Sequence, residues 1–126
     1  MTDEQERRAL LAIAVVTVAT GATQVAAPSA MLSPLKVEDS PATQQLFATV
    51  GMFMVIVGGL LFGALRRGEG ARPVVFWASA QKLGAAGAVA IGVRRSVFSP
   101  LALLVAGFDF ASGVLAVDYW RRLRRS

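Results

Sequence analysis

The sequence contains no cysteine and no histidine. Without cysteine there is no disulfide framework, zinc–thiolate site, iron–sulfur cluster or thiol nucleophile. Without histidine there is no His-ligated haem, no Ser-His-Asp catalysis and little scope for a transition-metal site. Charge is scarce as well. Asp, Glu, Lys and Arg make up 17% of the 126 residues, against 55% apolar residues. That balance argues against a disordered chain. What the chain has in quantity is uninterrupted hydrophobicity, with a mean hydropathy of +0.57. Its length fits one domain, residues 1–126.

Four apolar runs stand out: 9–26, 46–65, 74–93 and 101–117. A helix rises about 1.5 Å per residue, so about 20 residues cross a hydrocarbon core about 30 Å thick. The second run carries no ionisable residue, and Gly51, Met52, Phe53, Met54, Val55, Ile56 and Val57 are apolar on every face. A soluble bundle would need a polar stripe at helical spacing, and this run has none. The spacing predicts an all-α fold: a four-transmembrane-helix antiparallel bundle, with residues 27–45 as its longest, outer loop. The first run follows Met1 to Arg8 and ends on Ala26 and Ala27, which gives it the outline of a signal peptide. However, Asp3, Glu4 and Glu6 outnumber Arg7 and Arg8. A signal sequence needs a positive leader, so a retained helix is the expectation.

The distribution of basic residues sets the expected orientation. With four spans, one side holds Arg7, Arg8, Arg66, Arg67, Arg72, Arg121, Arg122, Arg124 and Arg125, and the other holds Lys36, Arg94 and Arg95. Short loops rich in Lys and Arg stay in the cytoplasm, so both termini are expected there, in a bacterial inner membrane. Tyr119, Trp120, Arg121, Arg122, Arg124 and Arg125 are the expected lipid-interface anchors, with Phe76 and Trp77 in the same role on the third helix. Directly after a membrane helix, the arginine-rich tail fits an anionic inner leaflet and not nucleic acid, although the sequence pI is about 11.1. The outer loop holds Pro28, Pro34 and Pro41 and an apolar stretch from Ala30 to Leu35. It reads either as a plain connector or as a lid over the bundle mouth. The shorter loops, 66–72 and 94–100, predict that the second, third and fourth helices pack consecutively.

Helices in lipid associate where backbones approach closely, which favours small residues. Ala80, Gly84, Ala88 and Gly92 form an i, i+4 stripe on the third helix, Gly59 and Gly63 form a shorter one on the second with Gly51 two turns earlier, and the fourth has Ala102 and Ala106, then Gly107 and Ala111. These are the expected packing seams within the protomer, with a homo-oligomer as the alternative use. On the first helix, Thr17, Thr20 and Thr23 share a face. They either bond their own i−4 carbonyls or line a cavity.

Lys82 and Asp109 are charges inside the third and fourth runs. Each costs about 2.5–3.5 kcal/mol near a helix centre. Counted from the outer ends of their helices, their depths differ by about three residues, or about 4.5 Å of rise. A lysine side chain spans that, so an ion pair is expected, with Gln81 or Ser112 assisting. Such a pair is either a structural register lock or an intramembrane polar site for a proton, an anion or a headgroup.

The order of a first helix, a proline-containing outer loop, a glycine-rich helix opened by Leu46-Phe47-Ala48-Thr49-Val50-Gly51-Met52-Phe53, two further helices and an arginine tail resembles small four-helix bacterial membrane proteins of the DoxX-like kind. That resemblance implies a link to redox or quinone-related membrane assemblies, with quinone the one cofactor it brings in. It carries over no catalytic residue. The residues themselves show no catalytic or metal constellation. The expected role is therefore a non-enzymatic accessory or assembly component that contacts other copies or another membrane protein. The alternative is a small proton-coupled transporter, or a lipid- or quinone-binding protein, using Lys82 and Asp109.

Overall fold

A computed structural model describes residues 1–125, with side chains through Leu123. The described chain is all-helical: α1 (Asp3–Ala26), α2 (Pro28–Leu32), a 3-10 turn (Ser33–Leu35), α3 (Pro41–Arg67), α4 (Ala71–Arg94) and α5 (Ala102–Arg125). The four long helices are long and apolar enough to cross a membrane. Most of them outrun their apolar cores because polar residues cap them. Thr2 accepts from the Gln5 backbone N–H while the Gln5 side chain accepts from the Thr2 N–H, and Asp3, Glu4 and Glu6 follow in the first turn. Carboxylates there complement the positive end of the helix dipole. Ser40 caps α3 ahead of Pro41, and α3 stops at Gly68, whose φ of +84° suits glycine.

The bundle is built from two antiparallel pairs. α1 lies along α3, with Arg7 at Leu65, Val18 at Gly58, Gly21 at Gly51 and Gln24 at Phe47. α5 lies along α4, with Trp120 at Arg72, Gly113 at Leu83 and Asp109 at Lys82. The pairs meet less closely, through α3 on α4 and α1 on α5. The expectation of consecutive packing therefore needs correction, because α3 sits tightly on α1 and only loosely on α4. The cause is where backbones can touch. A Cβ at Gly51 would lie 2.6 Å from the Gly21 carbonyl oxygen and 2.7 Å from Gln24 Cβ. One at Gly58 would lie 2.8 Å from Val18 and 3.1 Å from the Ala14 carbonyl oxygen.

Of these glycines only Gly51 belongs to the stripes read from the sequence. Gly59, Gly63 and Gly84 have no neighbouring atom within 4 Å of a built Cβ, and Ala80 and Ala88 are exposed. Gly92 meets only Phe98, in the loop that follows its own helix. The stripe is thus no seam inside the protomer. Lys82 explains why. It is two residues from both Ala80 and Gly84, so it projects about 200° around the helix from them. A helix that buries Lys82 must turn that stripe outward.

The buried face of α1 is Glu6, Leu10, Ala14, Thr17, Gly21 and Gln24, a three-and-four spacing that follows one seam. The apolar core, with Leu10, Leu61, Leu65, Val75 and Tyr119, fills the half of the bundle nearest the termini. The rest is inverted relative to a soluble protein. Thr17, Gln24, Ser79, Lys82 and Ser112 are buried, while Phe53, Ile56, Leu60, Leu104, Phe110 and Val114 are exposed. No more than 33% of any candidate span is buried inside the molecule. Water does not tolerate that much contiguous apolar surface, and lipid does.

The outer connection is more than a plain tether. Leu32 is buried, and α2 packs on α1 and α3. The Ser99 backbone N–H donates to the Leu35 carbonyl at 2.8 Å and its hydroxyl to the Pro34 carbonyl at 3.1 Å. The connection is shorter than the expected 27–45, because Ser40 caps a helix that begins at Pro41, and residues 27–40 fold over one end of the bundle and are tied to the α4–α5 connection.

Candidate functional site

Lys82 stands at the middle of the bundle. Its Nζ lies 3.6 Å from Asp109 Oδ1 on the neighbouring α5. It also donates a 2.6 Å hydrogen bond to Thr17 Oγ1 on α1. The Thr17 hydroxyl in turn donates to the Ile13 carbonyl at 2.8 Å. The Phe108 ring centre is 5.8 Å from Nζ, within cation–π range. The ammonium is therefore held by a carboxylate, a hydroxyl and an aromatic face, and three helices are joined at one point. Only 5% of the Lys82 side chain and 14% of that of Asp109 are exposed. Burial of this order removes most of the solvent screening that weakens surface pairs.

The Lys82–Asp109 contact is the pair expected from matched depths. Gln81 and Ser112 do not complete it, since no hydrogen bond joins either to the pair among the described residues. Gln81 Oε1 is buried without a hydrogen-bond partner, and Ser112 is buried on α5. The missing third member was Thr17. Its signal was the threonine face of the first helix, where the i−4 bond is present and the hydroxyl also receives the lysine. Thr23 makes only the local bond, to the Ala19 carbonyl.

A second cluster lies at the end of the bundle that carries both termini. Arg122 on α5 reaches Asp3 Oδ1 at 2.9 Å, Glu6 Oε1 at 3.2 Å and Asp118 Oδ2 at 3.1 Å. Glu6 is 1% exposed, and its Oε2 has no hydrogen-bond partner. Arg7 Nε donates to the Leu65 carbonyl at 2.9 Å, satisfying an orphan acceptor near the end of α3. Asp3, Asp118, Arg121 and Arg122 line a cavity of about 400 Å³. Among the described residues no group of three or more Asp or Glu is arranged to hold a metal ion. Here three carboxylates surround a guanidinium instead.

The expected interface anchors divide. Tyr119 is buried in the core, not in an interfacial belt. It lies one turn beyond Ala116 and Leu115, so the face that carries α5 into the bundle carries it too. Trp120 is half-buried, with the Arg72 guanidinium 4.4 Å above its ring and Phe76 at 5.5 Å. Trp77 is 69% exposed on α4 and Arg121 is exposed on α5, as anchors would be. Arg122 is bound within the protein. The side chains of Arg124 and Arg125 lie outside the described residues. Comparison of the chain with protein-family models, with curated proteins and with solved structures finds no match.

Proposed function

We infer that the chain is a non-enzymatic component of a bacterial inner membrane, with both termini in the cytoplasm, and that it acts by assembling with other membrane helices. One observation carries this reading. Gly84 and Gly87 lie mid-helix on the outward face of α4 with no atom within 4 Å of a built Cβ. Ala80 and Ala88 flank them, also exposed. Mid-helix glycine costs roughly 0.5–1 kcal/mol relative to alanine, and nothing inside the protomer gains from these two. A neighbouring helix gains, because small residues let two backbones approach. The Lys82 ammonium, already held from three sides, supports a lock within the bundle over a transport site.

A photo-crosslinking residue at position 84 tests the reading. It is expected to give protein–protein adducts in native membranes, of the chain with itself or with a partner. The same residue at position 104, on an exposed leucine of α5, is expected to give lipid adducts. Lipid adducts alone at position 84 would overturn the assembly role.

The orientation rests on the excess of arginine at the end that carries the termini. Because the chain lacks cysteine, single-cysteine variants report topology without background. Cysteine at Ser96 is expected to react with an impermeant maleimide added to spheroplasts. Cysteine at Glu69 is expected to react only after lysis. The reverse pattern would place the termini outside.

A further inference from the structure

The cavity at the terminal end has features that neither the bundle core nor the assembly reading explains. Its lining residues are two carboxylates, Asp3 and Asp118, and two guanidiniums, Arg121 and Arg122. They are not mutually spent. Asp3 binds Arg122 through Oδ1, which leaves its Oδ2 for another donor, whereas Asp118 is engaged both by Arg122 and by the Glu6 carboxyl beside it. Arg121 is exposed and makes no ion pair or hydrogen bond among the described residues. Among the described residues the site therefore offers an unpaired cation beside one unpaired carboxylate oxygen, in a volume of about 400 Å³. Its ligand should carry an anionic group and an N–H-bearing cation a few ångströms apart.

The surface next to the cavity names the source. Arg121 and Asp118 share one face of α5 with Val114, Phe110 and Leu103, at helical spacings of three and four. Those three apolar side chains are 50%, 60% and 49% exposed. The recess at Asp118 lies about 12 Å of helix rise from Phe110 and about 22 Å from Leu103, so Val114 and Phe110 fall within the roughly 15 Å half-thickness of a hydrocarbon core. A charged recess therefore opens at the head of an apolar track within one leaflet. Trp120, capped by Arg72, sits at the level of the recess, where aromatic side chains mark the membrane interface.

We propose that this recess binds the headgroup of an amine-bearing phospholipid, a phosphoethanolamine, with its phosphate on Arg121, its ammonium on Asp3, and its acyl chains along Val114 and Phe110. The proposal rests on the membrane reading above. The Asp3 carboxylate gives it selectivity. A phosphatidylglycerol headgroup brings no ammonium and leaves it facing an anion. A phosphatidylcholine headgroup brings a cation that has no N–H to donate.

The test uses the purified full-length chain in detergent, with palmitoyl-oleoyl phosphatidylethanolamine, phosphatidylcholine and phosphatidylglycerol added in turn. Native mass spectrometry counts the lipid retained. Phosphatidylethanolamine is expected to be held about tenfold more tightly than the other two, the equivalent of one charge-assisted contact. Arg121→Ala, which loses no ion pair or hydrogen bond among the described residues, is expected to fold normally and to weaken retention of all three lipids, since each carries the phosphate. Asp3→Asn is expected to abolish the preference for phosphatidylethanolamine. Equal retention of phosphatidylglycerol, a preference that survives Asp3→Asn, or retention unchanged in Arg121→Ala would overturn the assignment. Soluble phosphoethanolamine at millimolar concentration is expected not to displace the lipid, and displacement would reassign the recess to a soluble ligand. Alkaline extraction of the same variants reads membrane insertion separately. Release by alkali would overturn the membrane reading, whereas insertion without lipid preference would overturn the headgroup site alone.

Discussion

Lys82→Met and Asp109→Leu are each expected to cost about 3–5 kcal/mol of stability, because each strands an uncompensated charge inside the bundle. The double variant is expected to recover most of that loss. Replacing a whole buried pair with apolar side chains of similar volume is often neutral, whereas breaking one is not. The structure adds a third element to this cycle. The Thr17 hydroxyl keeps its bond to the Ile13 carbonyl when Lys82 is gone, so Lys82→Met leaves no orphan on α1. In Asp109→Leu, Lys82 keeps Thr17 and loses its counter-charge. Thr17→Val alone removes one hydrogen bond to a charged group, worth about 1.5–3 kcal/mol. The measurement is the unfolding midpoint of each purified variant in a denaturing detergent titration. Non-additivity of the pair by several kcal/mol is the signature of a lock. A double variant as damaged as the sum of the singles would rule the lock out and return the site to a functional role.

The second expectation sets glycines of the same helix against each other. Gly51→Ala is expected to destabilise the bundle by about 1–3 kcal/mol, through forced separation of two backbones. Its Cβ would meet the Gly21 carbonyl oxygen at 2.6 Å, a backbone atom that cannot rotate away. The shift would also strain the 3.2 Å bond from Gln24 Nε2 to the Phe47 carbonyl. Gly21→Ala meets the same obstacle from the other side. Gly59→Ala on the same α3, and Gly84→Ala on α4, meet nothing within 4 Å. In monomeric detergent-solubilised protein they are expected to be neutral or to stabilise by up to about 1 kcal/mol, the helix-propensity gain of alanine. Thermal unfolding of the four variants checks this. Equal losses at positions 51 and 59 would mean that α3 is rotated differently from the arrangement described.

The sequence by itself determined the existence, number and approximate bounds of the four long helices. Apolar runs of spanning length are local signals, and backbone hydrogen bonds within a helix are local too. It also determined the Lys82–Asp109 pair. Two lone charges of opposite sign in adjacent antiparallel helices have only their depth as a free variable, and depth is counted along the chain. Helix rotation and neighbour choice were decided in three dimensions. The stripe from Ala80 to Gly92 and the Gly51–Gly58 seam are equally small in sequence, and only the second is pressed against another helix. What distinguishes them is the cost of exposing Lys82 to lipid, which turns α4 so that its small face looks outward. Tyr119 and Arg122 followed the same logic. Each looks like an interfacial anchor from its place in the tail, and each is drawn inward by the face of α5 that packs on α1 and α4. The recess between Asp3 and Arg121 belongs wholly to the tertiary structure. It joins residues from the two ends of the chain, and no pattern along a sequence fixes which side chains of α1 and α5 will meet.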